Sequence, residues 1–207
     1  MGRPRLLVEQ TALAPGAAPA AMKRAILTAI TLLLLGLGPA ADARAGASWR
    51  ILLVGGPEDN WIRVDLAPDG RSYQIDSRAP LEIAEGVCVH PPGEPNRLLC
   101  ATRRVSGFEV NAGGGDDAVV FSPAVRVPVT VRGGPGNDRL FGGSAADKLI
   151  GGAGDDLLVG RAGGDVLHGG PGADKLIGGP GDDVLNGGPG VDALFGGPGR
   201  NTLVDRG

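Results

Sequence analysis

The 207-residue chain is poor in aromatic residues and has no excess of basic charge. Its two Trp, one Tyr and four Phe make up 3% of the residues, which is too little bulk for a large conventional core. The 20 Lys and Arg are outnumbered by 23 Asp and Glu, so the net charge is −3, whereas nucleic-acid binding needs a basic surface. These shortages weigh against a nucleic-acid-binding protein, a coiled coil and a large α/β enzyme.

Histidine is also scarce, and the familiar catalytic motifs are missing. The chain contains two His and no H-E-x-x-H, G-x-S-x-G, P-loop lysine or dinucleotide-binding G-x-G-x-x-G sequence. His90 and Asp76 are isolated and suit an exposed surface better than an active site. We therefore expect no enzymatic activity.

Glutamate is absent from the chain after Glu109. From position 110 onward there are 12 Asp and no Glu. A solvated acidic surface would mix the two residue types. Asp alone indicates a fixed, short reach from backbone to carboxylate, as in a tight ligand-binding loop.

Glycine, by contrast, is abundant and periodic. The last 75 residues hold 24 of the 38 Gly, and all of these except Gly207 lie in a frame of nine places that runs without insertion through eight units from Gly133 to Val204. Place one is always Gly: Gly133, Gly142, Gly151, Gly160, Gly169, Gly178, Gly187 and Gly196. Place four is Gly in seven units: Gly136, Gly154, Gly163, Gly172, Gly181, Gly190 and Gly199. Place six is Asp138, Asp147, Asp156, Asp165, Asp174, Asp183, Asp192 and finally Asn201. Place eight is always Leu.

The places of this frame have a physical meaning. Gly at places one, two and four permits a turn with positive φ and lets carbonyl groups crowd a shared point, to which the Asp at place six adds a charged oxygen. Places seven to nine alternate along a strand, so the Leu points to one face and its neighbours to the other. Stacked units would bury a ladder of Leu, which predicts a solenoid.

Units such as GGAGDDLLV at residues 151–159 closely resemble the haemolysin-type calcium-binding (RTX) nonapeptide. The resemblance covers residues 133–204, and a degenerate unit at residues 112–120 adds Asp117 at place six. It implies an all-β fold, a parallel β-roll of two sheets in which two units form one 18-residue coil. It also implies Ca²⁺ ions between turns two units apart on the same edge. The implied ligands are carbonyl groups of the Gly-rich turns and the side chains at place six, including Asp117.

The eight units are not equivalent. The turns of units 1, 3, 5 and 7, here called the odd edge, are intact at the Gly and Asp places. The turns of units 2, 4, 6 and 8, the even edge, contain Ala145 and Arg161 in place of Gly, and Asn201 in place of Asp. We therefore expect tighter calcium binding along the odd edge.

The N-terminal region has the pattern of an export signal. Met22-Lys23-Arg24 precedes an apolar run from residue 25 to 37, and Ala-x-Ala sequences follow between residues 41 and 47. The run is too short to span a bilayer. We expect a secreted protein that starts at Met22 and has no transmembrane span in its mature form, with an uncleaved anchor as the alternative.

The predicted organisation is a signal region at 1–47, a small β module at 48–111, the degenerate unit and a connector at 112–132, the roll at 133–204 and a tail at 205–207. Turn signals separate strands expected at 49–54, 61–66 and 72–76, with shorter ones near 98–101, 108–110 and 125–131. In an exported chain, Cys88 and Cys100 are predicted to form a disulfide; two free thiols or half of a metal site are the alternatives. This layout resembles small exported calcium-binding repeat proteins.

Place nine of the odd units is apolar throughout and is expected to face outward: Phe141, Val159, Ile177 and Phe195. Such a ladder exceeds scattered surface exposure. Either the cysteine-containing module or the degenerate unit covers it, or it serves self-association or a protein partner. The main functional hypothesis is an exported protein that folds on calcium. The alternative is a structural or adhesive surface protein in which calcium only rigidifies a partner-binding scaffold.

Overall fold

The computed structural model describes residues 49–79 and 88–205. The expected signal region at 1–47 lies outside these residues. In the part of the chain that is described, no helix has the length and apolar character needed to cross a membrane.

The described residues form β-strands and one short 3₁₀ helix, Thr102–Arg104, so the predicted all-β fold is confirmed. The strands in chain order are β1 (Trp49–Val54), β2 (Trp61–Leu66), β3 (Ser72–Ser77), β4 (Cys88–Val89), β5 (Arg97–Ala101), β6 (Val105–Asn111), β7 (Ala118–Phe121), β8 (Val129–Pro135), β9 (Arg139–Phe141), β10 (Lys148–Ala153), β11 (Leu157–Val159), β12 (Val166–His168), β13 (Lys175–Ile177), β14 (Val184–Asn186), β15 (Ala193–Phe195) and β16 (Thr202–Val204).

From β6 onward the strands alternate between two sheets. The seven-stranded sheet has the order β1-β6-β8-β10-β12-β14-β16, and the nine-stranded sheet has the order β15-β13-β11-β9-β7-β2-β3-β5-β4. Neighbouring strands of the repeats are parallel and 18 residues apart, since Leu149 pairs with Leu167 and Leu158 with Leu176. The predicted β-roll, with odd units in one sheet and even units in the other, is confirmed.

The Leu side chains at place eight fill the space between the two sheets. Leu194 is only partly buried and Leu203 is 50% exposed, because no further coil packs on them among the described residues. The other six are completely buried: Leu140, Leu149, Leu158, Leu167, Leu176 and Leu185. The core is therefore produced by stacking, as expected for units that cannot bury an apolar face alone.

The same core continues into the segment before the repeats. Buried residues stand in register with the Leu columns, namely Leu53, Val110 and Val131 in the seven-stranded sheet and Ile62 and Val119 in the nine-stranded sheet. Strands β3, β5 and β4 then extend the nine-stranded sheet beyond β2, each antiparallel to the strand before it in that order. Cys88 and Cys100 face each other across β4 and β5 and form a disulfide, which confirms the predicted pairing.

The strands expected at 49–54, 61–66 and 72–76 are found within one residue of the predicted bounds. The strand expected near 125–131 begins only at Val129. Residues 122–128 form an irregular connector, in which the N–H group of Val125 donates to the carbonyl of Ser122 at 3.0 Å. Pro123 and Pro128 lack the N–H groups that a continuous strand requires.

The apolar ladder lies on the outer face of the nine-stranded sheet. Phe141, Val159 and Ile177 are partly buried, and Phe195 is 53% exposed. Val120 of the degenerate unit pairs with Phe141 and lengthens the ladder, while the cysteine-containing strands continue the sheet edge to edge. Among the described residues, the two segments extend this face, so the expected intramolecular cover is not found there.

Candidate metal sites

At several places the Gly-rich turns stack so closely that only glycine fits. At Gly152 the backbone has a φ of 134°, and a Cβ atom would lie 1.9 Å from the carbonyl oxygen of Gly134, one coil earlier. At Gly172, φ is 150° and the corresponding distance to the carbonyl oxygen of Gly154 is 2.1 Å. Because any side chain would collide with the previous coil, these turns place main-chain oxygens in columns along each edge.

The side chains at place six form a hydrogen-bonded ladder along each edge. The Oδ1 atom of Asp156 accepts the N–H of Asp138 at 2.7 Å, and the Oδ1 atom of Asp174 accepts the N–H of Asp156 at 2.8 Å. The same bond recurs on the even edge, where Oδ1 of Asp165 accepts the N–H of Asp147 at 2.8 Å. One oxygen of each carboxylate is thus used to hold two coils together.

The second carboxylate oxygen has no partner in most units. Seven Oδ2 atoms are buried and accept no hydrogen bond from the protein. They belong to Asp117, Asp138, Asp156, Asp165, Asp174, Asp183 and Asp192. Buried polar atoms are almost always hydrogen-bonded. A whole column of orphaned oxygens therefore indicates a ligand that is not part of the chain.

Glycine at place one leaves room for these oxygens. A Cβ atom on Gly169 would lie 2.2 Å from Oδ2 of Asp174 and 2.6 Å from the carbonyl oxygen of Gly187, one coil later. The equivalent pair of oxygens flanks Gly151 and Gly178. A carboxylate oxygen and a carbonyl oxygen from adjacent coils therefore converge beside each of these glycines.

Burial raises the pKa values of these carboxyl groups. The pKa rises from 3.8 to about 6 for Asp138, Asp147 and Asp165, and to about 7 for Asp156. Desolvation is the main cause, and hydrogen bonds from main-chain N–H groups offset part of it. Asp138 and Asp174 raise the pKa of Asp156 further by charge repulsion. A cation between the coils would relieve both the desolvation and the repulsion.

The set of donor atoms suits calcium. The turns offer carboxylate and carbonyl oxygens and no Cys or His, and Ca²⁺ takes six to eight oxygens in irregular geometry, whereas softer metals favour sulfur and imidazole. Within the described ranges, no three His, Cys, Asp or Glu side chains form a metal-binding group by themselves. Main-chain carbonyl groups must therefore supply a large part of any coordination shell.

Comparison with known families agrees with this chemistry. The family model described as the RTX calcium-binding nonapeptide repeat, which spans four copies, matches residues 132–167 and again 168–203. Residues 132–203 are RTX repeats. No curated protein and no solved structure matches the chain.

The RTX roll brings the predicted ligands together along two separate edges. Place-six residues of the odd units form one ladder and those of the even units the other. The glycines at places one and four lie in the turns of the same edges. Which of these oxygens bind calcium remains a prediction.

The odd edge continues beyond the RTX repeats. The N–H of Asp117 donates to Oδ1 of Asp138 at 2.8 Å, and the N–H of Asn60 donates to Oδ1 of Asp117 at 2.6 Å. Both residues thus stand at place six. Asp117 was predicted, but Asn60 was missed, although the sequence GGPEDNWIR at residues 55–63 fits the frame with Gly at places one and two and Ile62 at place eight.

The C-terminal end of the even edge carries Asn201 at place six. Its Oδ1 accepts the N–H of Asp183 at 2.9 Å, and its Nδ2 donates to the carbonyl of Gly197 at 2.8 Å. Asn201 thus preserves the bond between coils. The group that replaces the second carboxylate oxygen is a donor, which cannot ligate a cation.

Proposed function

We propose that this chain is an exported protein whose RTX roll folds when it binds calcium. The observation that carries the proposal is the column of buried, unpartnered carboxylate oxygens beside carbonyl groups of the next coil. A hard cation with oxygen ligands is the partner that fits these positions.

The metal-free roll is expected to be unstable. Residues 133–204 contain nine Asp and five Lys or Arg, a net charge of 5 − 9 = −4. Ordering the backbone costs about 1–2 kcal/mol per residue, and the unpaired buried charges add to this cost. Ions that bind only the folded chain contribute their binding free energy to folding. We expect folding at calcium concentrations of about 10⁻⁴–10⁻³ M, the range of extracellular modules.

A calcium titration of the chelator-treated protein tests the proposal. Circular dichroism should show little β signal in chelator and a cooperative increase as calcium is added, and calorimetry should detect binding over the same range. A β signal that is unchanged by chelator would contradict calcium-driven folding.

A matched pair of variants separates ligation from overall charge. Asp156→Asn and Asp155→Asn each remove one negative charge from the same turn. Oδ2 of Asp156 is buried without a partner, whereas Asp155 is exposed and its Oδ1 accepts the N–H of Ala173 at 2.8 Å. Asp156→Asn should raise the calcium midpoint, and Asp155→Asn should leave it near the wild-type value. Equal shifts would indicate that only net charge matters.

Export is supported by the signal-like pattern at residues 22–47 and by the RTX repeats, which are typical of exported proteins. Export would also deliver the chain to a compartment in which calcium is available for folding. Expression of the chain with and without residues 22–47 tests this part. Loss of the protein from the medium on deletion is expected, and retention of the full chain inside the cell would contradict it. The proposal assigns no catalytic activity.

The second candidate function is a structural or adhesive scaffold that binds a macromolecule. It is favoured by the ladder of Phe141, Val159, Ile177 and Phe195, which remains partly exposed on one face. The double change Ile177→Ser and Phe195→Ser should abolish binding to cells or matrix without altering calcium-dependent folding. Val184→Ser is the matched control, since Val184 is 41% exposed on the opposite sheet. Unchanged binding in the double variant would leave calcium-driven folding as the better description.

A further inference from the structure

The even edge begins with a residue whose side chain offers no ligand to a metal. The N–H of Val129 donates to Oδ1 of Asp147 at 2.9 Å. In the coils that follow, the same bond joins the N–H of one place-six residue to the Oδ1 of the next. Val129 therefore occupies place six of the preceding coil and has no carboxylate. The connector at residues 122–128 replaces the Gly-rich turn that would lead into it.

Asp147, the first carboxylate of the even edge, differs from the other place-six aspartates. Its Oδ1 accepts the N–H of Val129, and its Oδ2 accepts the N–H of Gly143 at 2.6 Å. The other six place-six aspartates of the repeats all have an unpartnered Oδ2. Asp147 is therefore satisfied by the protein itself.

A positive charge from the next coil lies close to this carboxylate. Nη1 of Arg161 donates to the carbonyl oxygen of Gly142 at 2.5 Å and to that of Phe121. Val120 pairs with Phe141, so the next residues, Phe121 and Gly142, both stand at place one, in successive coils. Arg161 and Asp147 attract each other electrostatically, and the guanidinium also lies over the ring of Phe141, 5.8 Å from its centre.

This arrangement imposes an unfavourable backbone conformation. Arg161 stands at place two, which is Gly in the other seven units. Its φ is 78°, the only positive φ of a non-glycine residue among the described residues. A side chain in this region is strained, so its contacts must compensate for the strain.

We propose that the guanidinium of Arg161 takes the place of a calcium ion at the N-terminal end of the even edge. It provides N–H donors to two stacked place-one carbonyl groups and a positive charge near Asp147, and these are the groups that would otherwise surround a metal. The guanidinium, and not a metal ion, then holds the coil of Phe121 to the coil of Gly142. The inference rests on the proposed calcium binding of the remaining coils.

Arg161→Gly tests the inference because it restores the repeat sequence and removes the internal cation. Calcium stoichiometry is measured by calorimetry and native mass spectrometry, and folding by circular dichroism. Arg200→Gly is the matched control, since Arg200 is an exposed arginine of the same edge. We expect Arg161→Gly to bind one more calcium ion per chain than the wild type, and Arg200→Gly to bind the wild-type number.

Arg161→Lys retains a cation and should keep the wild-type stoichiometry. An unchanged or lower ion count in folded Arg161→Gly would overturn the inference, as would an additional ion in Arg161→Lys. Failure of Arg161→Gly to fold at saturating calcium would also overturn it, because calcium could then not replace the guanidinium. The proposed function fails separately, if the wild type binds no calcium.

Discussion

Loss of a place-six side chain should cost much more stability within the odd edge than at the end of the even edge. Asp174→Ala removes the acceptor of the buried N–H of Asp156. A buried donor left without a partner costs about 1–3 kcal/mol, and the loss of a carboxylate ligand adds to this in calcium. A change of about 1.4 kcal/mol alters an equilibrium constant tenfold. The lost hydrogen bond alone should therefore lower the folding equilibrium constant roughly 5- to 150-fold, and the lost ligand should lower it further.

The corresponding loss at Asn201 should be small. Asn201→Ala removes the acceptor of the N–H of Asp183, but this bond is only partly buried and lies in the last coil, where water can replace it. We expect a change below about 1 kcal/mol, the lower part of the range for ordinary hydrogen bonds. Stability should be measured by denaturant unfolding at fixed, saturating calcium. A calcium midpoint would understate the difference, because several ions share the cooperative transition.

Asp174→Ala should affect the roll differently in saturating calcium and in chelator. Burial raises the pKa of Asp174, so its charge disfavours the metal-free fold, and its removal relieves that cost in chelator. The variant should therefore be strongly destabilised in calcium and much less so, or not at all, without it. Equal losses for Asp174→Ala and Asn201→Ala in calcium would refute the proposed difference between the edges.

Three further changes probe charge, core and turns. In chelator the pKa of Asp156, raised from 3.8 to about 7, means that the fold binds protons more tightly than the unfolded chain. The metal-free roll should therefore gain β signal by circular dichroism as the pH falls from about 7 to 4 and lose it as the pH rises through 7; a β signal independent of pH would argue against buried carboxylates. Leu158→Ala should cost about 2–5 kcal/mol in denaturant unfolding because its side chain is fully buried, whereas Leu203→Ala should cost far less, and similar losses would contradict the Leu column. Gly152→Ala should lower the melting temperature strongly, since its Cβ would meet a carbonyl at 1.9 Å, whereas Gly56→Ala, with open space around it, should not.

The repeat frame predicted most of the roll because the same nine-residue pattern recurs in every unit. Leu at place eight is required to fill the core between the sheets, and Asp at place six is required to bond one coil to the next. Both residue types recur at the same place in successive units, so their positions can be read from the sequence. The strand bounds in the N-terminal module followed from alternation and turn residues, as in the run from Trp61 to Leu66. These features depend on residues that are near in sequence.

The features that were not predicted depend on contacts between distant residues. Asn60 has the place-six role, but its unit has Glu58 at place four and Asn60 lies 57 residues before Asp117, so periodicity alone did not connect them. Arg161 was predicted only as a defect of the even edge. Its contact with the carbonyl of Phe121, 40 residues earlier, is visible only once the coils are stacked.

The 18-residue register has a consequence for how such a chain can change in length. Each unit belongs to one sheet and one edge according to whether its number is odd or even. Duplication of a single nine-residue unit would reverse this parity for every unit that follows, so that Phe195 and its neighbours would move to the opposite face while the Leu core stayed intact. Duplication of two units preserves all downstream positions. The fold therefore tolerates growth by whole coils of two units. Each insertion of a single unit would move the outward-facing residues of all downstream units from one sheet to the other.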